Sequence, residues 1–339
     1  VLGGEEGISE DRQEGKNNAP KVKMKLVQFS IGDAQRIGIL DDKKVIDLKS
    51  GYAMYLSQEM RAKKARAAAE ALPVSMTEFF DLQNWIVIAR NISEYVGNAL
   101  KSGEKIKGEK VAYELTEVKL MAPLQPRLII DMLTFEEHFK QGLSRVAPID
   151  LWRKTPIAYK KNPFSVIGHE ESIVHPSYTG YLDYEVELGI VIGKKGKDIA
   201  KENAYEYVAG YTVFNDISAR DIEMKEILLR LGPFKSKDFD TAGPMGPCIV
   251  TNDEVGDAHN LEMELRVNGE VRQKYNTKHM HWKVPEMIAY ASMDQTLYPG
   301  TVIGSGTVPH LKPKRLKVGD VVEAEIEKIG ILRNKVVAK

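Results

Sequence analysis

Two carboxylates two residues apart, Glu185 and Glu187, stand in DYEVELGIVIG at 183–193, where acidic and apolar residues alternate before a β-branched run. The alternation predicts a strand with both carboxylates on one face, because strand side chains repeat every second residue. On an exposed face such a pair costs little and means nothing. On a buried face its repulsion must be relieved by a cation or by a raised pKa. A third acid, Asp216, follows the β-type run of YTVFNDISARD at 211–221, where a strand gives way to a turn and an acid can face a cleft. Oxygen ligands with no His or Cys beside them select a hard cation, Mg²⁺, Ca²⁺ or Mn²⁺, over zinc or copper. The irregular loop LGPFKSKDFDTAGPMGP at 231–247 adds Thr241 and Lys237, whose ammonium would stabilise negative charge developing on a metal-held oxygen.

Other reactive residue types have bland readings that weigh more. His138, in a short Phe-containing stretch, is on its own a packed or surface histidine before it is a base. His279 and His281 share a strand face but lack a third ligand for zinc, and His169 beside Glu170 and Glu171 is equally unsupported. The glycine pair of GSGT at 304–307 lacks the third glycine of a dinucleotide loop. Cys248, between Pro247 and Ile249, reads as a buried apolar residue.

The elements that must position these groups begin after a polar stretch. Residues 1–20 carry almost no large apolar side chains and read as a flexible tail. From Lys23 short apolar runs alternate with Gly32-Asp33 and Asp41-Asp42, the pattern of a strand meander. Ala, Lys, Arg and Glu between Ser57 and Leu72 predict a helix stopped by Pro73, with more helix over Ser75–Ala99. Pro123 and Pro126 mark a boundary, giving a small N-terminal β/α domain at 21–122 and a catalytic domain at 123–339, strand-rich with two short helices.

Composition narrows the function classes. Lys+Arg and Asp+Glu both total 48 in 339 residues, so no long-range field favours nucleic acid or an anionic membrane. One cysteine excludes an intramolecular disulfide. Apolar stretches such as Trp85–Ala89 fall short of the roughly 18 residues of a membrane span, and Val1–Pro20 lacks a signal peptide's apolar core. The expectation from these is a cytoplasmic protein with a small-molecule partner.

DYEVE, NDISARD, LGPF followed by Lys237, and GSGT, in this order, resemble the fumarylacetoacetate hydrolase superfamily. DMLTFEEH, Asp131 to His138, looks like the family segment in which an Asp metal ligand precedes the catalytic His by seven residues. The resemblance runs from about Leu26 to Val322 and is stronger from Asp131 onward. It implies an α+β, mostly β fold, a mixed β-roll catalytic domain with a small N-terminal β-rich domain. It also implies one divalent cation per subunit, Mg²⁺ first with Ca²⁺ or Mn²⁺ as alternatives, held by Asp131, Glu185, Glu187 and Asp216. His138 would be the general base and Lys237 would hold the developing charge. Tyr159, Arg145, Glu223 and Thr307 would contact substrate, and the chain would pair as a homodimer. If the path from Asp131 to His138 were helical, two turns would set them roughly 10 Å apart, one at the metal and one facing substrate.

The activity implied is hydrolysis of a C–C bond in a fumarylacetoacetate or acylpyruvate type 1,3-dicarbonyl, in aromatic-compound catabolism. A second reading keeps the site and changes the reaction to decarboxylation, isomerisation or dehydration of a 2-keto acid, including sugar-derived ones. A third, from another class, is a non-catalytic metal-binding dimer. Leu133, Glu136 and Glu223 depart from the Tyr, Arg and Gln of the animal-type hydrolase, which points to a changed pocket. Gln141 replaces the Glu of the HxxE dyad in the shorter acylpyruvase branch, leaving the partner of His138 open.

Overall fold

A computed structural model of the chain describes residues 24–102, 110–144, 147–230, 232–311 and 315–339. The tail at 1–20 and Arg145 lie outside them. The alternating runs after Lys23 fold as a meander of Lys25–Ile31, Ala34–Asp41 and Lys44–Asp47. Its two turns use positive φ at Gly32 (57°) and Asp42 (53°), the backbone that tight hairpins require. Lys25–Ile31 also pairs with Gly243–Thr251, Leu26 opposite Ile249, so the meander continues the larger sheet.

That sheet runs on from Gly243–Thr251 through Val208–Asn215, Val186–Ile192, Thr301–Gly304 and Leu128–Met132 to Ala158–Lys161. A second sheet is built from Glu262–Val267, Glu270–Asn276, Val321–Ile326 and Gly330–Val337, edged by Ile173–Val174. The fold is therefore α+β with a large, mostly antiparallel sheet, as the resemblance implies. The strand Val186–Ile192 is buried along its whole length because both of its faces are covered. Val186, Leu188, Ile190 and Ile192 pack with Leu265, Val322 and Leu332 of the second sheet. Val191, on the other face, packs with Ile129, Phe214 and the N-terminal Phe79, Phe80 and Trp85. The period of two thus sends Glu187 to the face opposite the inter-sheet core.

The helical parts differ in detail from the sequence reading. The helix expected from Ser57 to Leu72 is broken: a helical turn over Tyr55–Glu59 ends, Arg61 takes a positive φ of 51°, and a new helix runs over Ala65–Glu70. Alanines favour helix locally, but only Ala65 and Ala69 are buried, so little packing holds a longer one. Trp85–Ser102 is the main helix, burying Trp85, Ile88, Ala89, Ile92, Val96 and Ala99 at helical spacing. Each large apolar side chain so covered contributes about 1.5–3 kcal/mol. After residue 123 there are more short helices than the two expected: Glu136–Gly142, Ile149–Trp152, Arg220–Leu228, Asn252–Val255 and Val284–Ser292. No helix among the described residues is long and apolar enough to cross a membrane.

Candidate metal centre

Three strands of one sheet bring three acids together. Asp131 lies on Leu128–Met132, Glu187 on Val186–Ile192, and Asp216 directly after Val208–Asn215. One carboxylate oxygen from each lies within 4.8 Å of the others, and all three residues are buried, Asp131 to 3% and the other two to 1%. Thr301–Gly304 runs between two of these strands, and its last residue leaves the room the acids need. A Cβ on Gly304 would come 2.6 Å from Glu187 Oε2 and 3.1 Å from Asp131 Oδ1. The Gly306 N–H then donates to Glu187 Oε2 at 3.0 Å.

Crowding like charges away from water has the expected electrostatic result. Burial first, and then the Asp216 charge, push Asp131 up to about 8. Burial, with Asp131 and Asp216 beside it, holds Glu187 well above the usual carboxylate range. The Tyr159 hydroxyl lies 3.0 Å from Asp131 Oδ2 and 2.7 Å from Asp216 Oδ2. It has one proton for two acceptors, which fits an Asp131 that keeps its own proton at neutral pH. A cradle of buried carboxylate oxygens, cleared by a glycine and strained by its own charge, fits a hard divalent cation.

Two buried lysines contact the acids as well. Lys237 Nζ donates to Glu185 Oε2 at 2.6 Å, to Ser218 Oγ at 2.5 Å and to Asp216 Oδ2. Burial alone would lower its pKa, but Asp216 and Glu185 hold it well above the usual lysine value. Lys161 Nζ donates to Asp216 Oδ1 at 2.6 Å and to the Lys237 carbonyl. The sequence reading missed Lys161. Its signal is the two-residue repeat of Ala158–Lys161, which puts Lys161 on the same face as Tyr159. Arg220 was also missed: it donates through Nε to Asp183 at 2.8 Å, through Nη1 to Glu223 at 2.7 Å and through Nη2 to Glu185.

The remaining expected residues fall as follows. Glu185 precedes the strand instead of lying in it, its backbone N–H bonded to Asn215 Oδ1. Its carboxylate is turned to Arg220 and Lys237, which outweigh burial and hold its pKa well down. Glu185 is accordingly outside the three-oxygen cluster. The path from Asp131 to His138 is a strand and then the helix Glu136–Gly142, not two helical turns. His138 Nε2 lies 3.4 Å from Glu185 Oε1, and its Nδ1 is buried without a partner among the described residues. Gln141 is taken up elsewhere, its amide clasping the backbone of His310 at 3.1 and 3.3 Å. Glu223 reaches within 3.8 Å of Lys237 Nζ. Thr307 is buried, its hydroxyl donating to the Val186 carbonyl and accepting from Gln273. His281 packs on Trp152, and Cys248 is buried with its thiol pushed up to about 12.

A family model described as fumarylacetoacetate (FAA) hydrolase, C-terminal, matches residues 127–337, which include every one of these residues. The chain belongs to that family. It is 35% identical over 332 residues to "Oxaloacetate tautomerase fahd2, mitochondrial" of Xenopus laevis, covering 95% of this chain and 92% of the relative. It is 32% identical to "Oxaloacetate tautomerase YisK" of Bacillus subtilis strain 168, covering 88% and 94%. Among solved structures, fumarylacetoacetate hydrolase from Exiguobacterium antarcticum superposes with a TM-score of 0.69 at 29% identity, over 93% of this chain and all of that one. The family and the buried acids together make this a metal-binding enzyme of the fumarylacetoacetate hydrolase superfamily. One expectation is overturned: the frog relative, similar along nearly the whole chain, is named mitochondrial, against the cytoplasmic location read from composition. One cysteine excludes a disulfide scaffold, but neither it nor a zero net charge separates one reducing compartment from another.

Proposed function

We propose that the protein is a divalent-metal-dependent tautomerase of small 2-keto acids of the oxaloacetate type, moving a proton between C3 and the C2 oxygen. The single observation that carries this reading is the setting of His138. It is an acid–base group linked to the three-carboxylate cluster through Glu185, which shares the Lys237 ammonium with Asp216, and its Nδ1 is backed by no carboxylate among the described residues. C–C hydrolysis, the first expectation from the sequence, needs a base that activates water and a proton for the carbon leaving group. Tautomerisation needs only one proton carried a short way, and the frog and Bacillus relatives are named for it. The alternative reading, which included isomerisation, is therefore better supported than the hydrolase reading.

Asp131, Glu187 and Asp216 would hold the divalent cation, which when bound would supply Lewis-acid polarisation of the keto oxygen. His138 Nε2 takes the C3 proton, with Glu185 stabilising the imidazolium, and gives it to the C2 oxygen; ketonisation of the enol runs the same transfer in reverse. The ammonium groups of Lys237 and Lys161 stabilise the negative charge that develops on that oxygen, while Tyr159 fixes Asp131 and Asp216. Arg145, Glu223 and Thr307 are assigned to substrate in this reading, which also takes Mg²⁺ as the working ion and a homodimer as the assembly. The test follows decay of the enol absorbance of oxaloacetate, with and without EDTA, alongside pyruvate release and acylpyruvate cleavage. Metal-dependent loss of enol without cleavage is expected. Cleavage of acylpyruvates with no effect on the enol would return the assignment to hydrolysis.

A further inference from the structure

A cavity of about 750 Å³ opens at the seam between the N-terminal helix Trp85–Ser102 and the ends of the Val186–Ile192 and Val208–Asn215 strands. Its size lies within the range of small-ligand pockets. Its wall is fixed, since the Trp85 indole N–H donates to the Gly193 carbonyl at 3.2 Å and the Gly193 N–H bonds the Tyr207 carbonyl at 2.8 Å. Glu187 lies six residues before Gly193 on an extended chain, so the cavity stands roughly 20 Å from the metal centre.

The polar groups around it are under-used. Thr251 is 1% exposed, and its hydroxyl has no partner among the described residues. Arg90 meets Asp253 only at 3.6 Å, too long for a hydrogen bond, and leaves Arg90 Nε and Asp253 Oδ2 both buried and unbonded. Buried polar atoms without partners are costly, so three along one cavity mark a place that gains by taking a ligand. Both side chains of the loose pair are partly exposed, 27% and 17%, and can swing to meet one. Lys195 adds a cation that makes no ion pair among the described residues and lies over the Tyr298 ring at 5.2 Å, as Lys194 lies over Tyr207 at 4.8 Å. The other acids on the wall are engaged, Asp81 with Arg127 and Glu206 with Lys194.

We propose that this seam cavity binds a small organic anion built on a planar ring. Its acid group meets Arg90 and Lys195, its ring lies against Trp85, Tyr207 and Tyr298, and a hydroxyl serves Asp253 and Thr251. An aromatic carboxylate and a nucleoside monophosphate share this chemistry, so 4-hydroxybenzoate and AMP are the two probes. Each is titrated into the metal-loaded full chain by calorimetry and tryptophan fluorescence. At least one should bind with one site per chain and quench fluorescence in a way that Trp85→Phe abolishes, and which of them binds identifies the source. Arg90→Ala and Lys195→Ala should each weaken binding by about tenfold, as for a lost charge-assisted contact. Glu187→Ala, which disables the metal centre, should leave it intact. The proposal is overturned if neither probe binds, or if binding disappears in Glu187→Ala and persists in Arg90→Ala and Lys195→Ala.

Discussion

His138 Nε2 stands 3.4 Å from Glu185 Oε1, although one residue sits on the Glu136–Gly142 helix and the other in the break before the Val186–Ile192 strand. The contact couples the group proposed to carry the proton to an acid held by Arg220 and Lys237. It does not make His138 a member of the three-carboxylate cluster. His138→Ala should therefore keep metal affinity and lose turnover by about 10² to 10⁴. Calorimetry with Mn²⁺ alongside the oxaloacetate enol assay checks both halves. Loss of metal together with activity would recast His138 as a ligand or a structural residue.

Glu187 makes the complementary case. Its carboxylate belongs to the cluster and is fixed by the Gly306 N–H. Glu187→Ala should abolish Mg²⁺ and Mn²⁺ binding and with it the metal-dependent rise in unfolding temperature, which scales as RT ln(1 + [L]/Kd). Unchanged affinity in that variant would remove the cluster as the metal site.

The raised pKa values give a pH dependence of definite sign. In the metal-free folded chain Asp131 keeps its proton to about 8, whereas an unfolded aspartate loses it near the ordinary value of 3.8. Between those limits the folded state binds more protons, so metal-free stability falls as pH rises, by up to about 1.4 kcal/mol per pH unit for one such group. Metal binding expels the same proton, and that of Glu187, so affinity should climb with pH through about 8. Thermal unfolding in EDTA and metal titration across that range should move in opposite directions. A metal affinity independent of pH would contradict the shared burial of Asp131 and Glu187.

What the sequence disclosed follows from which interactions are local. The alternation in VELGIVI predicts the face on which Glu187 lies, and the end of the Val208–Asn215 run predicts Asp216 just beyond its strand, because strand period and turn chemistry are read within a few residues. Asp131 could be placed only through the family resemblance, since nothing near it signals that Leu128–Met132 runs parallel to Thr301–Gly304. Lys161 and Arg220 escaped for the same reason: an isolated lysine or arginine reads as solvated surface until the acids facing it are known. The break of helix over 60–64 was hidden by alanine propensity, a weak prior where packing is thin.

Lys161 deserves its own measurement because it is 2% exposed and serves Asp216 directly. Lys161→Met keeps most of the volume and removes the charge, leaving Asp216 with one fewer counter-ion in a dry site. The metal-free variant should lose about 3–5 kcal/mol, the cost of breaking a buried pair from one side. Saturating Mn²⁺ should return part of that loss, since the ion replaces the missing charge. Equal destabilisation with and without metal would show that Lys161 acts through packing alone.

Gly304 offers the sharpest test of the cradle, because the substitution adds one methyl and removes no functional group. The Cβ of Gly304→Ala would fall 2.6 Å from Glu187 Oε2 and 3.1 Å from Asp131 Oδ1, so at least one carboxylate must move. Both are far ends of side chains, so the fold should survive the change, with a cost of about 1–3 kcal/mol as for other overpacked sites. Metal affinity should suffer more than stability, because the displaced oxygens are the ones that would hold the ion. Circular dichroism to confirm folding, paired with Mn²⁺ calorimetry, separates the two effects. An alanine variant that binds Mn²⁺ as tightly as the parent would mean that the ion does not sit between Asp131 and Glu187.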